Sequence, residues 1–339
     1  MIRFGIIGCG RIASLRHIPE CYENPKAEIA GYYNRTREKA VQMAKLYGGR
    51  VYHNIEECIL DSNVDAVIIS TPNRTHAPIA IRALAEGKHV VCEKPMAVTM
   101  AECCRMAEVA RCNNRILLVG LQERYTQTHR MARNLISEGV IGKVLGFQAI
   151  FAHGGPEKKR QGENLWFYDQ EQAGLGVSAD LGIHKIDTFR FLLNDEVAES
   201  TVKLGYAKTA SDKACKHLVD NNAAFVLKMK KGAVGTIMAS WTCYGAERNS
   251  MVLFGSEGTM LIEHPYCGKV RIMMKNGEEK EYSAEELYRA NGWADSGIIR
   301  EMIRLIEQGQ RQSGEDTLET MRAVFAGIGT ETEEKGKGQ

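Results

Sequence analysis

The N-terminal segment Ile2-Arg3-Phe4-Gly5-Ile6-Ile7 runs directly into Gly8-Cys9-Gly10-Arg11-Ile12-Ala13. The first part is a short apolar run typical of a buried strand, and the second fits the pattern G-x-G-x-x-G/A with alanine in the last place. Such a turn lets a pyrophosphate approach the backbone at a helix N-terminus, where unpaired N–H groups favour anions. We therefore predict a dinucleotide-binding turn with cofactor contacts from Gly8, Gly10, Arg11 and Ile12.

Beyond this turn, the first 122 residues alternate short apolar runs with amphipathic helical patterns. The apolar runs are Phe4–Ile7, Ile29–Tyr33, Ala66–Ile69, His89–Cys92 and Ile116–Val119. The helical patterns between them are Thr36–Leu46, Ile55–Leu60, Ala77–Glu86 and Thr99–Arg111. Continuous apolar strands separated by helices predict a parallel sheet covered on both faces, which is an α/β, doubly wound Rossmann domain over residues 1–122.

From residue 123 the pattern changes to strands joined by short turns. The predicted helices are Thr128–Glu138, Asp180–Leu193, Ser296–Gln308 and Asp316–Thr330. The predicted strands are 143–151, Thr201–Tyr206, Ala223–Met229, Ala233–Trp241, Met251–Phe254, Thr259–Glu263 and Val270–Met274. This order predicts a second domain over residues 123–339, of α/β type with a large, mostly antiparallel open sheet. The polar tail Glu331–Gln339 is expected to fray.

Two polar segments follow strands of the predicted Rossmann sheet, Thr71-Pro72-Asn73-Arg74-Thr75-His76 and Glu93-Lys94-Pro95. Ligands of open parallel sheets bind at the carboxyl ends of the strands, where both segments lie. The order of residues alone does not decide whether Pro95 follows a cis bond. We expect cofactor contacts from Thr71, Pro72, Asn73, His76, Glu93 and Lys94.

The second predicted strand ends in Tyr33-Asn34-Arg35-Thr36, without the carboxylate that usually binds the ribose 2′-hydroxyl of NAD. Arg35 is placed to pair with a 2′-phosphate, so we expect Asn34 and Arg35 to contact the cofactor and favour NADP over NAD. The alternatives are a solvated Arg35, or one that stacks on the adenine and serves NAD equally.

Asp180, His184 and Asp187 are spaced i, i+4 and i+7, which places them on one face of a helix. An aspartate one turn before a histidine can orient the ring and support its protonated form, as a general acid/base requires. An ordinary surface pair or helix cap is the alternative. The preceding Gly174-Leu175-Gly176 suggests backbone crowding near a ligand.

Further residues could line a substrate pocket, because a sugar needs polar donors and an aromatic platform. The segment that carries most of them could equally be an interface loop. The candidates are Arg124, His153, Lys158, Lys159, Arg160, Trp166 and Tyr168.

Composition excludes several classes of protein. The 339 residues carry a formal net charge of +2 with both signs interspersed, which gives no case for binding nucleic acid or an anionic membrane. No run approaches the ~20 apolar residues of a membrane span, and the N-terminal run is too short for a signal peptide, so we expect a cytoplasmic protein. The ten cysteines contain no Cys-x-x-Cys pair and the nine histidines no zinc spacing, so we expect free thiols and no metal.

Four motifs occur together in one order and at characteristic intervals: the turn at residues 8–13, Pro72-Asn73-Arg74-Thr75-His76, Glu93-Lys94-Pro95 and Asp180-x-x-x-His184. On these motifs the sequence resembles the glucose–fructose oxidoreductase, inositol dehydrogenase and rhizopine-catabolism (Gfo/Idh/MocA) family over nearly the whole chain.

The resemblance implies NAD(P)-dependent oxidation or reduction of one hydroxyl or carbonyl of a sugar, cyclitol or related polyol. By motif, Lys94 would hydrogen-bond the reacting hydroxyl, His184 would act as acid/base, and Asp180 would bind substrate or orient His184. Trp166 and Arg124 complete the expected substrate-binding set. The resemblance also implies a homodimer or homotetramer built through the C-terminal sheet.

Two departures from the family pattern matter. A glycine triplet reads Gly174-Leu175-Gly176 here, and Asn34-Arg35 replaces the acid of the second strand. Two other functions stay open: a glycoside-cleaving enzyme that oxidises its sugar transiently with tightly held NAD, and a non-catalytic dinucleotide-binding sensor or repressor. The presence of Lys94, Asp180 and His184 together argues against the sensor.

Overall fold

The computed structural model describes residues 1–156, 165–207, 219–288 and 292–329. The candidate pocket residues Lys158, Lys159 and Arg160, the end of the last predicted helix at Thr330 and the tail Glu331–Gln339 lie outside the described residues. The chain divides into two compact units. The first contains Met1–Gln122 and Leu287–Leu318, and the second contains Glu123–Glu286 and the chain from Glu319 onward.

The first unit is built on a parallel sheet of six strands. They are β1 Ile2–Ile7, β2 Ala27–Tyr33, β3 Arg50–Val51, β4 Ala66–Ile69, β5 His89–Cys92 and β6 Leu117–Val119. Their order in the sheet is β3-β2-β1-β4-β5-β6, which is the doubly wound arrangement. Every residue of β4 is fully buried, as expected of a strand covered on both faces.

Helices connect these strands. Five lie in the first 122 residues: α1 Ile18–Glu23, α2 Arg37–Tyr47, α3 Ile55–Leu60, α4 His76–Ala85 and α5 Met100–Cys112. Asn54 caps α3 by accepting from the Glu57 N–H, and Thr99 and Glu102 form a reciprocal capping box on α5. The predicted elements of this part of the chain are confirmed, with bounds that differ by at most two residues.

The segment Leu287–Leu318 differs from the division that the sequence predicted, because it packs in the first unit and not in the second. Its helix α9, Ile298–Glu307, is strongly amphipathic and buries its apolar face. The N–H of Leu117, the first residue of β6, donates to the Gln312 carbonyl of this segment at 2.7 Å. Such tertiary contacts leave no signal in a local sequence pattern.

The second unit contains an eight-stranded sheet. Its strands are β7 Val144–Ala152, β8 Val197–Gly205, β9 Asn222–Met229, β10 Val234–Ser240, β11 Arg248–Gly255, β12 Gly258–Ile262, β13 Lys269–Met274 and β14 Glu279–Ser283. The order is β14-β13-β12-β11-β7-β10-β9-β8, and only the β7–β10 pair is parallel. The predicted fold class is therefore confirmed.

The helices of this unit are α6 Gln127–Ser137, α7 Gln170–Ala173, α8 Ile183–Leu193 and most of α10 Glu315–Ile328. The sequence missed β14, whose residues are largely charged and lie at the sheet edge, and the two-residue β3. Among the described residues, no helix is long and apolar enough to cross a membrane.

Candidate active site

The turn after β1 depends on the close approach of β4. Gly8 has φ +99°, and a Cβ there would lie 2.4 Å from the Ser70 carbonyl oxygen, so only glycine fits. Gly10 is different, because a Cβ there would meet no atom nearer than that oxygen at 4.0 Å. The packing of the chain does not require this second glycine, and the space beside it suits the close approach of a pyrophosphate.

Asn34, at the end of β2, closes this turn. Its Oδ1 accepts from the Cys9 N–H at 2.9 Å, and its Nδ2 donates to the Thr36 carbonyl at 2.8 Å. Arg35 is exposed and makes no hydrogen bond or ion pair with the residues that the structure describes. The turn therefore ends beside a fixed neutral amide and an exposed guanidinium.

The helix that begins at Arg11 and Ile12 continues as a π-helical turn, Ala13–His17, and then as α1. The π turn brings His17 Nε2 to 2.7 Å from Glu93 Oε1, and both side chains are buried. Burial raises the pKa of Glu93, but the hydrogen bond and charge of His17, with Arg16 and Lys94, outweigh it and hold that pKa at about 2. The carboxylate is therefore ionised.

The Glu93-Lys94-Pro95 loop is held on both sides by buried histidines. On one side Glu93 Oε2 accepts from the Lys94 N–H at 3.2 Å while Oε1 faces His17. On the other side His76 Nδ1 lies 2.8 Å from the Pro95 carbonyl and Nε2 lies 2.9 Å from the Thr71 carbonyl. The Lys94–Pro95 bond is cis, and Lys94 is half-buried.

His76 was predicted to contact the cofactor, which stays a prediction; in the structure each of its ring nitrogens has a backbone carbonyl as partner. Burial lowers the pKa of His76. The ring joins the loop after β4 to the loop after β5. Thr75 stabilises the loop after β4, because its hydroxyl lies 2.7 Å from both Thr71 Oγ1 and the Pro72 carbonyl.

In the second unit, Asp180 lies on a π-helical turn, Ser178–Gly182, and His184 lies in the first turn of α8. Asp180 Oδ2 accepts from Trp241 Nε1 at 3.0 Å. An aromatic side chain lies beside each of these two residues, Trp241 at Asp180 and Phe151 at His184. Tyr168 stands edge-on to Trp241 at 5.4 Å, and Phe151 lies 6.0 Å from the His184 ring.

The other candidate rings of the pocket lie in the same unit. His153 is 6.2 Å from Phe151, and its Nδ1 accepts from the Gly155 N–H at 3.1 Å. Trp166 packs on Phe167 with ring centroids 3.8 Å apart.

Asp187 and Arg124 form an ion pair away from solvent. Arg124 Nε donates to Asp187 Oδ2 at 2.9 Å, its Nη2 donates to Oδ1, and the Thr320 hydroxyl also donates to Oδ1 at 3.0 Å. The Asp187 side chain is only 1% exposed. Asp187 therefore binds Arg124 and Thr320, and substrate binding by Arg124 stays a prediction.

The structure shows backbone crowding near Gly174-Leu175-Gly176, and the crowding atoms belong to Asp220. A Cβ on Gly176 would lie 1.8 Å from the Asp220 carbonyl oxygen. The Asp220 carboxylate accepts from the Gly176 and Ser178 N–H groups, each at 2.8 Å. Glycine is required here so that Asp220 can hold the start of the π turn that carries Asp180.

Known protein families match both parts of the chain. The family described as "Oxidoreductase family, NAD-binding Rossmann fold" matches residues 2–121, and the GFO/IDH/MocA C-terminal domain matches residues 129–261. The chain belongs to the Gfo/Idh/MocA oxidoreductase family. The family expected from the sequence motifs is thus confirmed.

Individual relatives agree with this assignment. The chain is 30% identical over 262 residues to 1,5-anhydro-D-fructose reductase of Ensifer adhaerens, covering 77% of this chain and 75% of that protein. It is 29% identical over 244 residues to glucose-6-phosphate 3-dehydrogenase of Bacillus subtilis, covering 71% and 68%. The crystal structure of an oxidoreductase domain protein from Kribbella flavida has the same fold, with a TM-score of 0.85, 23% identity and 98% of each chain covered.

As a Gfo/Idh/MocA member, the chain is an NAD(P)-dependent oxidoreductase, and its first unit fits the dinucleotide. The space beside Gly10 and the helix that begins at Arg11 would receive the pyrophosphate. The bound nicotinamide supplies the hydride acceptor or donor of the reaction. Among the described residues, no group of three or more His, Cys, Asp or Glu side chains is placed to hold a metal ion.

One feature of this Gfo/Idh/MocA chain escaped the sequence analysis, a buried ion pair beside His184. Lys185, fully buried, donates from Nζ to Glu123 Oε2 at 2.9 Å. Thr188 Oγ1 lies 3.1 Å from the same oxygen, and Asn249 Nδ2 donates to Oε1 at 3.3 Å. Burial lowers the pKa of Lys185. Burial raises the pKa of Glu123, but the charges of Lys185, His184 and His129 and the hydrogen bond from Lys185 together outweigh it, so that this pKa is lowered and Glu123 stays ionised. The sequence feature that could have predicted this ion pair is a lysine within an otherwise apolar helix face.

The described geometry brings the predicted site residues together in two groups. Thr71, His76, Glu93 and Lys94 meet in the first unit, and Asp180 and His184 lie among aromatic rings in the second.

Proposed function

We propose that this enzyme transfers a hydride between the nicotinamide and a hydroxyl or carbonyl carbon of a sugar, cyclitol or related polyol. The observation that carries the proposal is Asp180, bonded to Trp241 and followed one turn later by His184, among the rings of Tyr168 and Phe151. Carboxylate, imidazole and aromatic faces together suit a ligand with several hydroxyls and apolar ring faces. The names of the two curated relatives, a reductase of an anhydro sugar and a dehydrogenase of a sugar phosphate, support the same class.

Three residues share the chemistry in this proposal. The Lys94 ammonium donates to the substrate oxygen and stabilises the negative charge that develops there. His184 takes the hydroxyl proton in oxidation and returns it in reduction, and Asp180 holds substrate and keeps His184 oriented. Glu93 braces the Lys94 N–H and His76 braces the carbonyl of the next residue, Pro95, which supports the role of Lys94 because a catalytic donor acts best when its position is fixed.

We further propose that NADP is preferred over NAD. Arg35 is exposed at the end of β2 and makes no ion pair with a described residue, so its guanidinium is available to a 2′-phosphate. Asn34 Oδ1 already accepts a hydrogen bond from the Cys9 N–H, and this side chain has no carboxylate that could bind the ribose hydroxyls.

The open face of the eight-stranded sheet supports association with a second copy of the chain. Five residues on neighbouring strands are paired in register and form one row across the sheet: Met273, Thr259, Phe254, Gly146 and Val234. Met273, Phe254 and Val234 are 57%, 44% and 49% exposed. A two-fold axis would bury this apolar row against its copy. Sedimentation of wild type and Phe254→Lys tests this, and a monomeric wild type would refute it.

The decisive experiment for function is a panel of sugars, anhydro sugars, sugar phosphates and cyclitols, assayed with NAD and NADP while reduced-nicotinamide absorbance is followed. We expect turnover with at least one polyol, faster with NADP, and its loss in His184→Asn. Turnover only of substrates that lack a polyol, such as simple aldehydes or amino acids, would overturn the substrate class.

A further inference from the structure

Trp293 lies beside the helix that starts at the dinucleotide turn. The guanidinium carbons of Arg11 and Arg16 lie 5.6 and 5.4 Å from the centre of its indole ring. Both distances are within the range of a cation–π interaction, for which tryptophan is the best aromatic partner. Trp293 belongs to the segment Leu287–Leu318, which packs in the first unit.

The chain next to Trp293 is fixed on the same helix. Glu20 is buried in α1 and accepts from both the N–H and the hydroxyl of Ser296, each at 2.7 Å. Asp295 Oδ1 accepts from the Gly297 N–H at 2.7 Å just before α9 begins. Trp293 is therefore held three residues from a buried anchor, and its position relative to Arg11 is set by packing.

The two arginines differ in what else surrounds them. Arg16 is half-buried, and its Nη1 lies 3.0 Å from the Gln122 side-chain oxygen when that amide is oriented to satisfy both its neighbours. Arg11 is exposed and directly follows Gly10, beside the space that the chain leaves open. Of the pair, Arg11 is the cation available to a phosphate.

We propose that Trp293 is part of the dinucleotide site and holds the Arg11 guanidinium in position to pair with the cofactor pyrophosphate. A long arginine side chain loses much conformational freedom when it binds a ligand, and a prior contact with the indole reduces that loss. The indole leaves the edge of the guanidinium free to donate charge-assisted hydrogen bonds to phosphate oxygens. This proposal depends on dinucleotide binding and is independent of the substrate and of the choice between NAD and NADP.

The test measures dissociation constants of NADH and of ADP-ribose by titration calorimetry. ADP-ribose carries the pyrophosphate and lacks the nicotinamide. We expect Trp293→Leu and Arg11→Met each to raise the Kd of both ligands about tenfold, equivalent to about 1.4 kcal/mol. Trp293→Phe, which keeps an aromatic face, should stay within about threefold of wild type. Tyr288→Leu, an exposed aromatic in the same segment, is the matched control and should bind as wild type does.

The double variant Arg11→Met/Trp293→Leu separates this mechanism from a general loss of structure. If Trp293 acts by holding Arg11, the double variant binds no more than about twofold more weakly than either single variant. Raised salt should reduce the difference between wild type and Arg11→Met, because the interaction is with charge. A Trp293→Leu protein that binds both ligands as wild type does, losses that multiply in the double variant, or a loss confined to NADH would each overturn the proposal.

Discussion

His17 Nε2 lies 2.7 Å from Glu93 Oε1, and this buried contact connects the helix after the glycine turn to the residue that precedes Lys94. Glu93 uses its second oxygen to accept the Lys94 N–H. The position of the proposed catalytic lysine thus depends on a histidine 77 positions earlier in the chain, which no local motif reveals.

The first prediction concerns acid stability. The pKa of Glu93 is lowered to about 2 in the folded protein from an ordinary 4.5. Its stabilising contribution is therefore fully present above about pH 4.5 and is lost as the pH falls toward 2, with a magnitude of about 3 kcal/mol. We expect the urea midpoint of wild type to fall more steeply over this range than that of Glu93→Gln. Parallel curves for the two proteins would show that the contact does not favour the ionised carboxylate.

The second prediction concerns Lys94. Lys94→Ala should lower kcat by roughly 10²–10³, because a donor that stabilises charge on the reacting oxygen is lost. The Kd of the oxidised cofactor should barely change, as measured by fluorescence titration. The exposed Lys143→Ala serves as a control with unaltered kcat. Near-normal turnover by Lys94→Ala on the true substrate would remove Lys94 from the mechanism.

The third prediction concerns the acid/base pair. His184→Asn should reduce kcat by about 10²–10⁴ and flatten the acid limb of the pH–rate profile. Asp180→Asn should cause a related loss, and the double variant should be little worse than His184→Asn, since the two residues act as one unit. A pH profile of His184→Asn that matches wild type would contradict the assignment.

The fourth prediction concerns cofactor choice. Arg35→Ala should raise the Kd of NADP by roughly ten- to a hundredfold, as expected when a hydrogen bond to a charged group worth about 1.5–3 kcal/mol is lost. The Kd of NAD should change little, and Arg105→Ala, an exposed arginine of α5, should leave both constants unaltered. Tighter binding of NAD by wild type, with equal losses for both cofactors in Arg35→Ala, would make the enzyme NAD-dependent.

The hydrogen bonds of Asn34 also bear on Asn34→Asp, which would add the carboxylate that usually binds the ribose 2′-hydroxyl of NAD. The amide nitrogen of Asn34 donates to the Thr36 carbonyl, and a carboxylate would place an oxygen there instead. We therefore expect any shift toward NAD to be accompanied by a lower melting temperature.

The fifth prediction concerns the buried pair beside His184. Lys185→Met should destabilise the protein by about 3–5 kcal/mol, because it leaves the buried Glu123 carboxylate without its cation. Adding Glu123→Gln should restore most of this loss, as measured by urea unfolding. A double variant as unstable as Lys185→Met alone would show that packing of the lysine stem, not charge pairing, was lost.

Much of this enzyme could be predicted from the sequence. The glycine turn, the parallel strands through β6 and the Asp180–His184 spacing are local patterns, because turn geometry and burial periodicity act over a few neighbouring residues. The family followed from several such motifs in one order. Exposed or charged strands such as β14 carry little periodic signal and were missed.

The tertiary structure alone decided which groups the site residues contact. Asp187 was predicted to share a helix face with Asp180 and His184, and in the structure it binds Arg124 and Thr320. The two ring nitrogens of His76 lie within hydrogen-bond distance of two backbone carbonyls. Because the segment Leu287–Leu318 packs in the first unit, the Trp293 ring lies beside the Arg11 guanidinium. Most of these contacts join residues tens to hundreds of positions apart, so they depend on how whole elements pack. The sequence determined which chemical groups were available and on which local elements, and packing of the folded chain determined their partners.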